Sequence, residues 1–278
     1  MEIMKSYGPS YTRLIGASYP GLIMILLDQS LSMKEHGKAI EAAKATNRVI
    51  YEIMLASRSE GEIIDRCFVG VIGYGKSIKP IVGDKISQVA ATPLRIESVE
   101  KMVSDRAGGL VSAKIEMPIW VEPEFQNGTP MAETFEKAYT LIEGWIRDNP
   151  NSFPPIVMNI TDGEPNDFDK STGNALKTKD MATRLMDLET TDGKVLLFNA
   201  HISGLVSANE LQLPSSESGI VDPYAKMLFN ISSILPPRLI EEAKKVGLST
   251  QAGSRGLVFN ANAETLIKLL TFGSSVAR

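Results

Sequence analysis

The stretch Gly21-Leu22-Ile23-Met24-Ile25-Leu26-Leu27, followed at once by Asp28-Gln29-Ser30-Leu31-Ser32, decides the fold. Its apolar run is far too short to span a bilayer. It has the length of a strand buried on both faces, which is how strands of a parallel sheet read. One carboxylate and two hydroxyls then stand at alternate positions where that strand leaves the core. Hard oxygen donors at the carboxyl end of a buried strand suit a small divalent cation such as Mg²⁺.

Working outward, strands and helices alternate along the chain. A helix is expected over 34–56, where Ala39, Ala43, Ile50 and Met54 repeat at helical spacing. Residues 66–74 read as a second strand, and 77–82 as a third that turns back on it as a hairpin. Leu94–Val103 reads as a short helix with Ile96, Val99 and Met102 on one face, and 104–128 as an irregular, insertion-like stretch. A helix over 130–146 follows, with Pro130 at its first position, where proline is well tolerated. The strand Ile156–Ile160, a helix near 174–188 and the strand Val195–Ile202 come next. Helices near 222–233 and 237–246, the strand Gly256–Phe259 and a helix near 263–272 complete the pattern. Such alternation predicts one α/β domain over 1–278, with its core at about 18–272. Its sheet should be doubly wound and mostly parallel, with one antiparallel edge strand and helices on both faces.

Two further segments share the logic of the first. Thr161-Asp162-Gly163-Glu164 follows the apolar strand Ile156–Ile160, and Gly128-Thr129-Pro130 opens the 130–146 helix. In open α/β sheets, ligands gather beyond the carboxyl ends of strands whose connections diverge to opposite faces. Should the strands 21–27 and 156–160 be neighbours, Asp28, Ser30, Ser32, Thr129 and Asp162 converge there.

With these motifs in order and at these separations, the chain resembles a von Willebrand factor A domain of the bacterial, intracellular kind, from about Gly21 to about Leu270. The resemblance implies a Rossmann-like fold and a metal-ion-dependent adhesion site. Ser30, Ser32 and Thr129 would supply hydroxyl ligands, and Asp28 and Asp162 would bind directly or through waters. The cation would be Mg²⁺, with Mn²⁺ or Ca²⁺ as substitutes. An Asp or Glu of a protein partner would complete its coordination. One departure stands out: many relatives carry Gly between the two serines, where this chain has Leu31, whose side chain would cover the ion or pack on the following helix.

Each residue also has a plainer reading. Ser30 or Ser32 could cap the 34–56 helix and Thr129 the 130–146 helix, and Asp162-Gly163 is a good turn pair. Other chemistries lack their context. Gly70 to Ser77 matches the P-loop spacing, but its first glycine lies within a strand and no helix follows. A phosphatase using paired aspartates would need an acid where Ser30 stands. No G-x-S-x-G elbow occurs. With one Cys and two His, a thiolate–imidazole zinc site is excluded.

The resemblance implies a non-enzymatic binding module, and composition narrows the setting. A net charge of −4 offers no footprint for nucleic acid. The lone Cys67 reads as a buried small hydrophobe, and the first residues lack a signal-peptide core. A cytoplasmic protein free of membrane is the expectation. The rival function is a metal-dependent phosphohydrolase using the same cation. Trp120 and Phe125, just upstream of Thr129, either fold back over the core or anchor a partner beside the metal. Asp167 and Asp169 read as solvated loop acids, His36 and His201 as ordinary surface or hydrogen-bonded residues, and Leu213–Gly219 as a surface loop.

Overall fold

The computed structural model describes residues 10–104, 110–202 and 209–275. Strand β1 (Gly21–Asp28) leads through a 3₁₀ segment (Leu31–Gly37) into α1 (Lys38–Ala56). A small ribbon, β2 (Arg58–Ser59) with β3 (Glu62–Ile63), precedes the hairpin of β4 (Cys67–Tyr74) and β5 (Ile78–Lys85). After α2 (Ile86–Ala91) comes a second hairpin, β6 (Arg95–Ser104) and β7 (Leu110–Ile119). Then follow α3 (Met131–Asp148), β8 (Ile156–Thr161), α4 (Leu176–Asp187) and the ribbon β9 (Glu189–Thr190) with β10 (Gly193–Lys194). The chain continues through β11 (Leu196–Ile202), β12 (Leu211–Gln212), α5 (Pro223–Asn230) and α6 (Pro237–Lys245), ending in β13 (Leu257–Ala261) and α7 (Ala263–Gly273).

The main sheet has seven strands in the order β12-β13-β11-β8-β1-β4-β5. β4, β1, β8, β11 and β13 run parallel, and β5 closes one edge antiparallel, as the 77–82 hairpin predicted. The short β12 closes the other edge, also antiparallel. The P-loop-like glycines therefore sit in a strand and a hairpin bend.

Every position of β1 is buried. Because successive side chains point to opposite faces, Ile23, Ile25 and Leu27 join one core layer with residues of α1 and α7. Leu22, Met24 and Leu26 join the other, with residues of α3, α4 and α5. Burying each such side chain contributes roughly 1.5–3 kcal/mol, so β1 is anchored from both sides. α1 leaves β1 toward the first layer and α4 leaves its neighbour β8 toward the second. Adjacent strands whose connections part to opposite faces make a topological switch point, open at their carboxyl ends.

Two expectations need correction, and one open alternative, that for Trp120, closes in favour of the core. The segment Leu94–Val103 is a strand, not a helix, and the stretch expected to be irregular supplies its partner β7 in register from Arg95↔Ile119 to Ser104↔Leu110. Residues 105–109 lie outside the described residues. The three-apart spacing of Ile96, Val99 and Met102 misled; what decides is that Val99, Ile115 and Met117 share one face of the ribbon and line a groove with Arg48, Tyr51 and Leu55 of α1. The helix expected from residue 34 begins only at Lys38, because His36 and Gly37 take left-handed φ of +52° and +71°. Trp120 is 3% exposed and does not present itself to a partner. Its indole Nε1 donates to Val89 O, and Asn47 of α1 stitches the backbone of Trp120 and Val121 in place.

Candidate metal centre

Asp28 ends β1, and its two carboxylate oxygens are both held. Oδ1 accepts from the backbone N–H of Ser30 at 2.7 Å, an Asx-type turn. Oδ2 accepts from the Thr161 hydroxyl at 2.7 Å. Burial pushes this carboxyl up to about 7, against the pull of the Thr161 and Ser30 hydrogen bonds and with a smaller push from the Asp162 charge.

The Asx turn throws Ser30 and Ser32 to one side, their hydroxyl oxygens 3.0 Å apart. Both reach Asp162 Oδ1, Ser32 at 2.7 Å and Ser30 at 3.4 Å. Neither serine caps a helix through its side chain: Ser30 flanks the 3₁₀ segment without a side-chain bond, and α1 starts after Gly37. The hydroxyl of Thr129 does not cap α3 either. Instead the Thr129 N–H donates to Asn166 Oδ1 at 2.8 Å, and Asn166 N–H donates back to Thr129 O at 3.0 Å. That clasp ties the entry of α3 to the loop after β8.

Gly163 completes the enclosure. A methyl group added to it would lie 3.5 Å from Ser32 Oγ and 3.7 Å from Thr129 Oγ1, so those two hydroxyls flank the glycine's open side. Tyr224 of α5 secures this loop by donating to Gly163 O at 2.5 Å. The five residues singled out in the sequence thus meet at the switch point between β1 and β8. Thr161, Asn166, Tyr224 and Lys38 hold them. Thr161 was in view as part of its tetrad without a role; the other three carry no local signal.

Asp162 is the unusual member. Its side chain is fully buried, and its Oδ2 accepts no hydrogen bond of good geometry. The Lys38 ammonium stands 2.5 Å from that oxygen, itself 8% exposed. His201, at the end of β11, stacks on Phe259 and accepts from the Asn260 N–H. Burial drives its imidazole down to about 4, so the ring is neutral near pH 7. Asp167 is not a free loop acid, since it accepts from the hydroxyl and N–H of Thr178 in the first turn of α4. Asp169 is exposed and accepts from Ser171 in its own loop.

Does the donor set fit a cation? Among the described residues no three His, Cys, Asp or Glu side chains gather as a metal cluster. Two carboxylates with three hydroxyls, one buried carboxylate oxygen held only by the Lys38 ammonium and a glycine-lined space are suited to a hard ion that keeps part of its water shell, as Mg²⁺ does.

No family model matches the sequence, and no curated protein matches it. Solved structures do match. The pilus adhesin SpaC from Lactobacillus rhamnosus GG aligns with 97% of this chain at 12% identity and a TM-score of 0.51, over 32% of its own length. Its open conformation aligns at 13% identity and a TM-score of 0.50, again over 97% of this chain and 31% of that one. At these identities the likeness is one of fold: a mostly parallel α/β sheet with an antiparallel edge and helices on both faces. A von Willebrand factor type A protein from Catenulispora acidiphila aligns with 72% of this chain at 11% identity, over 42% of its own length, at a lower TM-score of 0.38. The chain thus spans less than half of each of these structures. Among the described residues, no helix is long and apolar enough to cross a membrane.

Proposed function

We propose that the chain is a non-enzymatic, Mg²⁺-dependent protein-binding module working in the cytoplasm. Asp28, Ser30, Ser32, Thr129 and Asp162 hold the ion, and an Asp or Glu of a partner protein completes its coordination. The observation that carries this reading is the meeting of three loops at the β1/β8 switch point, where hydroxyls outnumber carboxylates. A site with few protein carboxylates leaves the ion electrophilic toward a carboxylate from outside. Leu31 is 53% exposed, so much of its side chain faces solvent beside the donors. Phe125 is exposed nearby with the Lys34 ammonium 5.5 Å from its ring centre, and Gln126 bridges to Ser30. These side chains give the rim exposed apolar surface beside the donors, with both Lys34 and the acids Glu35, Glu124 and Glu164 around it.

The rival phosphohydrolase needs a nucleophile or base near the ion. The candidates are committed elsewhere: Asp28 to Ser30 and Thr161, His201 to the Asn260 N–H, Tyr224 to Gly163. Calorimetric titration with MgCl₂ or MnCl₂ tests the proposal, together with affinity capture in the presence and absence of chelator. Cation binding lost in Asp28→Ala, chelator-sensitive capture and no turnover of phosphate esters are expected. Turnover abolished by Asp28→Ala would establish the rival instead.

A further inference from the structure

Lys38 is a cation where a cation is costly. It is the first residue of α1, and the positive end of a helix dipole disfavours an ammonium there. It is also nearly buried, which penalises a charge lacking a close partner. The chain bends hard to place it. Glu35 is extended, and His36 and Gly37 are consecutive left-handed residues, a costly choice for a histidine. Helix side chains lean toward the N-terminus, so the Lys38 stem points back toward the end of β8. Its Nζ meets Asp162 Oδ2, the one oxygen of the two buried carboxylates to which no hydrogen bond is donated. Helix stability explains none of this; neutralising Asp162 does.

We propose that Lys38 is a tethered surrogate for the divalent cation: it holds the site together when the ion is absent and opposes the ion's entry. The inference rests on the metal-site reading above. Two cations cannot share Asp162 without repulsion, so an incoming Mg²⁺ has to displace the ammonium or bind against its field. Metal affinity is thereby set low, and the bound ion carries surplus positive charge that a partner carboxylate neutralises.

The test compares the parent with Lys38→Met and Lys38→Arg by calorimetric titration with MgCl₂ and MnCl₂, and by thermal melting with chelator and with Mg²⁺. Lys38→Met is expected to bind either ion about tenfold or more tightly, as removal of a like charge at close range implies. It should melt lower than the parent in chelator and recover more on adding Mg²⁺. Lys38→Arg keeps the charge and should bind no more tightly than the parent. Binding by Lys38→Met where the parent shows none also supports the proposal. Equal or weaker binding by Lys38→Met, with measurable binding by the parent, overturns the proposal and leaves the metal site standing. Flat titrations of all three proteins overturn both. Should Lys38→Met fail to fold, Lys38→Gln replaces it with the same expectations.

Discussion

The hydroxyl of Thr161 donates to Oδ2 of Asp28 across 2.7 Å, joining the ends of two adjacent parallel strands at the point where both leave the core. Thr161 also accepts from the N–H of Gly163, so one side chain aims Asp28 and shapes the next loop. Groups that orient metal-binding side chains typically change affinity by 10–100-fold when removed. Thr161→Val should weaken Mg²⁺ binding by about tenfold or more, while Thr161→Ser restores it. Calorimetry on folded variants, with circular dichroism as the control, checks this; unchanged affinity in Thr161→Val would remove Thr161 from the site.

Gly163 offers a steric counterpart. An added methyl would make only ordinary contacts, at 3.5 and 3.7 Å, and the backbone there is not left-handed. Gly163→Ala should therefore melt within a few degrees of the parent, since surface-type changes stay within about 0.5 kcal/mol. It nevertheless fills the space between Ser32 and Thr129. Cation titration should show clear weakening, and a variant binding Mg²⁺ as well as the parent would place the ion elsewhere.

Acid titration separates two buried groups whose effects oppose each other. Burial lifts Asp28 to about 7, above its unfolded value of 3.8, so its contribution to stability falls as pH rises through that window. Burial lowers His201 to about 4, below its unfolded 6.5, so its contribution falls as pH drops through nearly the same window. Each has a limiting slope of about 1.4 kcal/mol per pH unit. In chelated protein the two largely cancel. Urea melts between pH 4.5 and 7.5 should show Asp28→Asn losing stability relative to the parent on acidification, and His201→Gln gaining it. Curves parallel to the parent's would contradict both assignments.

That Asp28, Ser30, Ser32, Thr129 and Asp162 come together was readable because each sits at a predictable place: the end of an apolar run or the start of a helix. The doubly wound sheet was readable for the same reason, since Gly21–Leu27 and Ile156–Ile160 are apolar throughout. Lys38 and Asn166 were not, because their partners lie across the fold and nothing local distinguishes a lysine that pairs with Asp162 from one on the surface. The β6–β7 ribbon failed for a related reason. Its apolar residues line a groove with α1, and a helical spacing of three apolar residues outweighed the pairing that only the folded chain supplies.

Cys67 tests the core beneath β4. It is fully buried, and burial pushes its thiol up to about 12, so almost no thiolate exists near neutral pH. Ellman's reagent should leave the native protein unlabelled and titrate one thiol per chain in denaturant. Rapid labelling of native protein would mean that β4 opens readily.

Trp120 and Phe125 lie five residues apart and should respond in opposite ways. The Trp120 indole is buried, donates to Val89 O and is flanked by backbone that Asn47 of α1 holds. Trp120→Ala should cost about 3–5 kcal/mol, as large aromatic truncations in cores do, and lower the melting temperature accordingly. Phe125 is 47% exposed, with its ring face toward Lys34. Phe125→Ala removes little buried area, so stability should change by less than about 1 kcal/mol. If the rim beside the ion receives the partner, Phe125→Ala and Leu31→Ala should both weaken chelator-sensitive capture without altering Mg²⁺ affinity. Capture unaffected by either change would move the docking face away from this rim, while a stable Trp120→Ala protein with impaired capture would return the anchor role to Trp120.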